Sequence, residues 1–259
     1  MAGFLFNRIV FGPVKSRRLG VSLGINLLPT GYKYCTYNCI YCECGWTLHN
    51  EIDPKQLHSR EEVKLQLEFA LKQYCKTGKI IDAITFAGNG EPTIHPQFAE
   101  IVDDTIELRN IWMPDAKVSV LSNASMIFKV DVFNALLKVD NNILKLDAGT
   151  EKNFQLINHP LNRNNLEHLV ETLCDFKGKL TLQSLFVKGM VNGIPVDNST
   201  PEEVEAWLKH IGRIRPRSVM IYPIHRATPG EELEVVDQET LLRIAAKVEA
   251  IGIKAQVFE

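Results

Sequence analysis

Apolar residues recur along the chain with two alternating periods. In Val21-Ser-Leu-Gly-Ile-Asn26 every second position is apolar, the pattern of a half-buried strand. Further on, Leu67, Ala70, Leu71 and Tyr74 fall at i, i+3, i+4 and i+7, one face of a helix. Ser59 and Glu62 supply a capping box at the start of that helix. The two periods then take turns. Strands are predicted at 83–87, 118–121, 142–147, 180–187 and 219–222, and helices at about 96–112 and 131–137. A further helix carries Leu166, Leu169, Val170 and Leu173 on one face, and the last carries Leu241, Ile244, Ala245 and Val248. Between them Thr200-Pro-Glu-Glu203 opens a helix with Pro201 at its first position and Glu203 completing a second box.

Six strand–helix units without a long linker predict a parallel sheet, because parallel strands need crossovers. A doubly wound open sheet fits the same periodicity. No Gly-rich dinucleotide turn follows the first strand, which favours an α/β partial (β/α)6 TIM-like barrel with parallel strands. It is expected as one domain over 20–259, behind an N-terminal extension over 1–19. With 259 residues, 45 % of them hydrophobic, the chain can bury a sizeable core. The 29 Lys+Arg nearly balance 31 Asp+Glu, which argues against a dominant electrostatic grip on nucleic acid. No apolar run approaches the ~18 residues of a membrane helix, and Asn7 and Arg8 break the apolar start too early for a signal peptide. A cytoplasmic, reducing setting is therefore expected, with cysteines present as thiols or metal ligands.

Nearly every predicted strand ends in residues that a plain turn does not require. These are Gly88-Asn-Gly-Glu-Pro92, Ser122-Asn123, Lys145 and Asp147, Lys188-Gly189, and His225-Arg226. In parallel α/β folds these carboxyl ends share one rim, where ligands bind. After the first strand comes Cys35-Thr-Tyr-Asn-Cys39-Ile-Tyr-Cys42, three thiols on one loop, with Cys44 just beyond. A structural zinc site would need a fourth ligand from the same loop, Cys44 or His49. An iron–sulfur cluster is the other reading, and one held by three cysteines keeps an iron open for an outside ligand. Cys75 and Cys174 read as buried helix residues. Lys15-Ser-Arg-Arg18 could bind an acidic substrate, and Lys188, His225 and Arg226 a phosphate or carboxylate; solvated surface charge is the plain alternative.

The spacing C-x3-C-x2-C, with the aromatic Tyr41 before the last cysteine, resembles the signature of the radical S-adenosylmethionine (SAM) superfamily. Gly88-Asn-Gly-Glu91-Pro92 resembles that superfamily's Gly-Gly-Glu-Pro turn, with Asn89 inserted into the glycines. Phe11–Asn26, Gly88–Pro96 and Leu146–Glu151 resemble the wyosine-synthase-related group of Fe–S oxidoreductases, over about residues 11–230. Two departures stand out: no cysteine precedes Cys35 for a second cluster, and His159 stands before Pro160 where an Arg is usual.

The resemblance implies a [4Fe-4S] cluster on Cys35, Cys39 and Cys42, S-adenosyl-L-methionine as cofactor, and a 5′-deoxyadenosyl radical that abstracts hydrogen from a substrate. It implies that Gly88, Asn89, Gly90 and Glu91 meet the methionine end, Tyr41 and Tyr222 the adenine, and Ser122 and Asn123 the ribose. A one-electron donor such as flavodoxin or ferredoxin is the implied partner, and the substrate could be a small molecule, peptide or RNA. Activation of a glycyl-radical enzyme, tRNA modification and a non-catalytic metal-binding module remain alternatives at this point.

Overall fold

The computed structural model describes residues 3–47, 56–161, 164–226, 228–230 and 232–258. Strand β1 (Val10–Ser16) pairs antiparallel with β2 (Gly20–Ile25). Helix α1 (Arg60–Lys76) leads to β3 (Ala83–Phe86), α2 (Phe98–Trp112) to β4 (Lys117–Ser122), and α3 (Val130–Lys138) to β5 (Asn141–Lys145). A short helix α4 (Glu151–Asn153) runs on as a π-helical turn, Phe154–Asn158, before α5 (Leu166–Cys174) and β6 (Thr181–Val191). Then come β7 (Ile194–Asp197), α6 (Pro201–Ile214), β8 (Ser218–Pro223), β9 (Glu232–Val235), α7 (Gln238–Ala250) and β10 (Lys254–Val257).

The sheet runs β1-β2-β3-β4-β5-β6-β8-β10, and every pair from β2 onward is parallel. Each crossover steps to the next strand in the same direction. A doubly wound sheet would reverse that order at a switch point; this one never does, and its outer strands β1 and β10 do not meet. The architecture is therefore the open, barrel-like α/β arrangement with all carboxyl ends on one rim.

The predicted apolar faces are the buried ones. Leu67 and Leu71 of α1, Leu166, Leu169, Val170 and Leu173 of α5, and Leu241, Ile244, Ala245 and Val248 of α7 are buried, while on α1 Ala70 and Tyr74 are half-buried and Val63 joins the buried face. At the start of α1, Ser59 Oγ accepts from Glu62 N while Glu62 accepts from Ser59 N, so the capping box forms. Among the described residues no helix is long and apolar enough to cross a membrane.

Several local expectations are corrected. Three elements escape the periodicity: β1, where Gly12-Pro13 breaks the alternation and the register shifts; β10, a seventh parallel strand; and the extension of β6 beyond Val187, which pairs with β7 and β9. At α6, Thr200 does accept from Glu203 N, but the Glu203 carboxylate does not return to the cap. It is buried and accepts from Gly149 N (2.6 Å) and Thr150 N (2.9 Å), two loop donors with no strand partner. Cys75 is exposed because the last turn of α1 projects beyond the core, leaving residues 75–80 all exposed; Cys174 is half-buried.

Candidate functional site

The cysteine loop is tied to three strand ends. Tyr34 N donates to Asn89 O (2.8 Å) and Glu91 N to Tyr34 O (3.2 Å), a parallel bridge to the loop after β3. Gly90 is required there: its φ is +143° and a Cβ would stand 1.7 Å from Tyr34 O. Thr36 Oγ1 bonds Ser125 Oγ (2.6 Å) after β4. Asn38 N and Ile40 N donate to His159 O (2.9 Å) and Ile157 O (3.0 Å) after β5. His159 itself adopts a left-handed φ of 43° to present that carbonyl.

This docking lines a cavity of about 290 Å³ with Cys35, Cys39 and Cys42. Each cysteine has its own nitrogen donor. Asn123 Nδ2 lies 3.5 Å from Cys35 Sγ, Asn158 Nδ2 lies 3.7 Å from Cys39 Sγ, and the buried Lys33 ammonium bonds Cys42. Burial pushes the Cys35 thiol up to about 12 and also raises Cys39. Cys42 is held low, first because the Cys44 thiol donates to it and, against the cost of burial, because Lys33 lies beside it. Lys33 is buried, which alone would depress it, yet the surrounding cysteine sulfurs hold it above the usual lysine value.

Gly88, Gly90 and Glu91 line the same cavity. Glu91 is buried and its carboxylate is shared among four donors. Oε1 accepts from Thr93 N (3.1 Å), Thr93 Oγ1 (2.6 Å) and Ser122 Oγ (2.8 Å), and Oε2 from Asn123 N (2.6 Å). Burial raises its pKa and those bonds oppose the rise. Glu91 thus fastens the rim of β3 to that of β4. The Asn89 side chain is committed elsewhere, to Phe6 N, Phe6 O and Pro29 O, each at 2.8 Å, so it pins the N-terminal segment.

At the end of β5 the Tyr41 hydroxyl donates to Asp147, which also accepts from Asn158 Nδ2 (2.8 Å) and Leu185 N (2.9 Å). Lys145 Nζ stands 3.8 Å from Asp147 and donates to the hydroxyls of Tyr41 and Tyr222, both at 2.9 Å. Lys145 and Asp147 therefore pair as part of a network that positions Tyr41 and Tyr222 on the cavity wall. Lys188 lies away from the cavity beside Glu234 (3.9 Å), whereas His225 and Arg226 reach the mouth. His49 lies outside the described residues.

No protein-family model matches the chain. The chain is 32 % identical over 245 residues to a protein named GTPase Obg of Brachyspira hyodysenteriae, covering 93 % of this chain and 33 % of that protein. It is 33 % identical over 183 residues to a UPF0026 protein of Methanocaldococcus jannaschii, covering 69 % and 54 %. The chain thus spans between a third and just over half of the length of these relatives. It contains no G-x4-G-K-[ST] phosphate loop. A radical SAM methyltransferase from Sphaerobacter thermophilus superimposes with a TM-score of 0.65 at 15 % identity, covering 92 % of this chain and 65 % of that one. The chain shares the fold of that enzyme over most of its length.

The three cysteines stand on the loop after β2, the first parallel strand. The donor set fits a cluster. Among the described residues no three His, Cys, Asp or Glu side chains gather tightly enough for one ion, as ligands at the ~2.3 Å Zn–S distance would have to. Lys33 and Asn158 carry no signal in the sequence, and Arg18 is singled out there only as part of the Lys15-Ser-Arg-Arg18 stretch that could bind an acidic substrate. None belongs to a motif, and their proximity to the cysteines is purely tertiary.

Proposed function

We propose that this protein is a radical SAM enzyme that carries one [4Fe-4S] cluster on Cys35, Cys39 and Cys42. The observation that supports it most is that these three cysteines, each with its own nitrogen donor, line one rim cavity together with Gly88, Gly90 and Glu91. When bound, the cluster and SAM together supply a one-electron cleavage that gives methionine and a 5′-deoxyadenosyl radical able to abstract hydrogen.

The chain's own residues would do the rest. The backbone of Gly88 and Gly90, free of side chains, lets a charged methionine end approach closely. Glu91 holds that turn and the Ser122-Asn123 corner at fixed spacing. Asn123 and Asn158 direct N–H dipoles at cysteine sulfur, which favours the reduced, more negative cluster. Tyr41 and Tyr222, held by Lys145 and Asp147, form a wall for the adenine side. A reductant such as flavodoxin or ferredoxin would deliver the electron.

Anaerobic reconstitution with iron and sulfide is expected to give a four-iron complement per chain and dithionite-dependent 5′-deoxyadenosine. Cys39→Ala should abolish both. Full cleavage activity in that variant, or a stoichiometric zinc ion bound in its place, would overturn the assignment.

A further inference from the structure

We propose that the mouth of the cysteine cavity binds an anionic oxyacid group of the substrate, a carboxylate or a phosphate, with Arg18 as its anchor; this rests on the function proposed above. Arg17 and Arg18 follow β1, and His225 and Arg226 follow β8, 208 positions along the chain from Arg17 to His225. The fold brings them together: Arg17 donates to His225 Nε2, and both pairs line a groove that shares Arg18, Tyr41 and Tyr222 with the cavity.

The charges at this mouth do not balance internally. Glu43 is taken by Arg226 at 2.6 Å, Glu91 is saturated by its four donors, and Asp147 is occupied by Tyr41, Asn158 and Leu185. Lys145 is paired with Asp147 at 3.8 Å and reaches two neutral hydroxyls, so it leaves no carboxylate over for the arginines. Among the described residues no carboxylate pairs with Arg17 or Arg18.

Arg18 is the focus. Its guanidinium carbon lies 4.8 Å over the Tyr222 ring, which fixes its plane, and its buried Nη1 has no hydrogen-bond partner. A buried N–H left unpaired costs free energy, and the guanidinium fork matches a planar oxyanion two bonds at a time. The missing acceptor is thus supplied by a ligand. His225 reflects the same field. Burial lowers its pKa first, and then Arg17, Arg226 and Arg18 lower it further, with Glu43 opposing. Its neutral ring nitrogen accepts from Arg17 and leaves Arg18 free for the ligand.

The test uses reconstituted protein with SAM bound, titrated calorimetrically at low salt with inorganic phosphate and, separately, with succinate. Wild type is expected to bind at least one of these anions, and Arg18→Gln to bind it about tenfold more weakly, with Arg18→Lys intermediate because it lacks the fork. Preference for phosphate assigns a phosphorylated substrate, and preference for succinate a carboxylate. As a second measurement on wild type, each anion that binds should slow phenylglyoxal modification at Arg18, mapped by peptide mass. Failure to bind either anion, equal affinity in Arg18→Gln, or unprotected Arg18 would overturn the proposal. So would loss of the SAM-induced change in the cluster EPR spectrum in Arg18→Gln, which would assign the arginine to the cofactor. Iron content and 5′-deoxyadenosine report separately on the proposed function, so the two can fail independently.

Discussion

Three nitrogen donors, one per cysteine, set the chemistry at the residue scale. Asn158 is the most informative, because its amide reaches Cys39 Sγ across 119 positions while also holding Asp147. Hydrogen bonds to cluster sulfur stabilise the reduced state. Asn158→Leu should therefore shift the cluster midpoint to a more negative potential in an EPR-monitored redox titration. SAM cleavage should fall by about tenfold with iron content retained, the usual scale for a supporting residue around a metal centre. The cysteines proposed as ligands were legible, because they lie within one short loop. Their supporting residues were not: Asn158 sits in Phe-Gln-Leu-Ile-Asn, a run with no motif, and Asn123 reads equally well as a ribose contact.

Among the elements, α1 and α2 are joined by a charge cluster on their outer faces. Asp104 of α2 accepts from Arg60 Nε (2.6 Å), Arg60 Nη2 (3.0 Å) and Lys64 Nζ (2.9 Å). The Arg60 bond, above all, holds the Asp104 carboxyl below its ordinary value. A depressed folded pKa gives stability that is present above the unfolded value of ~3.9 and is lost as pH falls through the folded one. Asp104→Asn should therefore lower the urea midpoint at pH 7 by the equivalent of about 1 kcal/mol, since both cations are solvent-exposed and screened. The difference from wild type should narrow progressively as pH falls below ~3.9. Helix boundaries show what local patterns carry. Ser59 and Glu62 form the box their spacing predicts, because both partners belong to one turn. Glu203 does not, because the stronger demand on its carboxylate comes from Gly149 and Thr150, which no local rule can see.

On the scale of the whole molecule, the cavity exists only because the loop after β2 docks on the ends of β3, β4 and β5. The contact at Gly90 has no slack, with Tyr34 O filling the place of a side chain. Gly90→Ala is expected to leave the far-UV dichroism near wild type while speeding loss of iron to a chelator severalfold. Unchanged iron retention would show that the Tyr34 bridge is dispensable. The open seam between β1 and β10 also belongs to this scale, because it depends on strands that amphipathic periodicity missed.

The sequence by itself determined the alternation of strands and helices, the faces those helices bury, and the three thiols with their spacing. All of these are encoded within a few turns or a single loop, where hydrophobic period and short reach suffice. Tertiary structure alone decided that the strand order never reverses, that Glu91 is a brace between rims, that each cysteine sulfur faces a nitrogen, and that Arg18 meets Tyr222 beside His225. Those facts depend on groups far apart in the chain becoming neighbours, and only the burial of the common core brings them together.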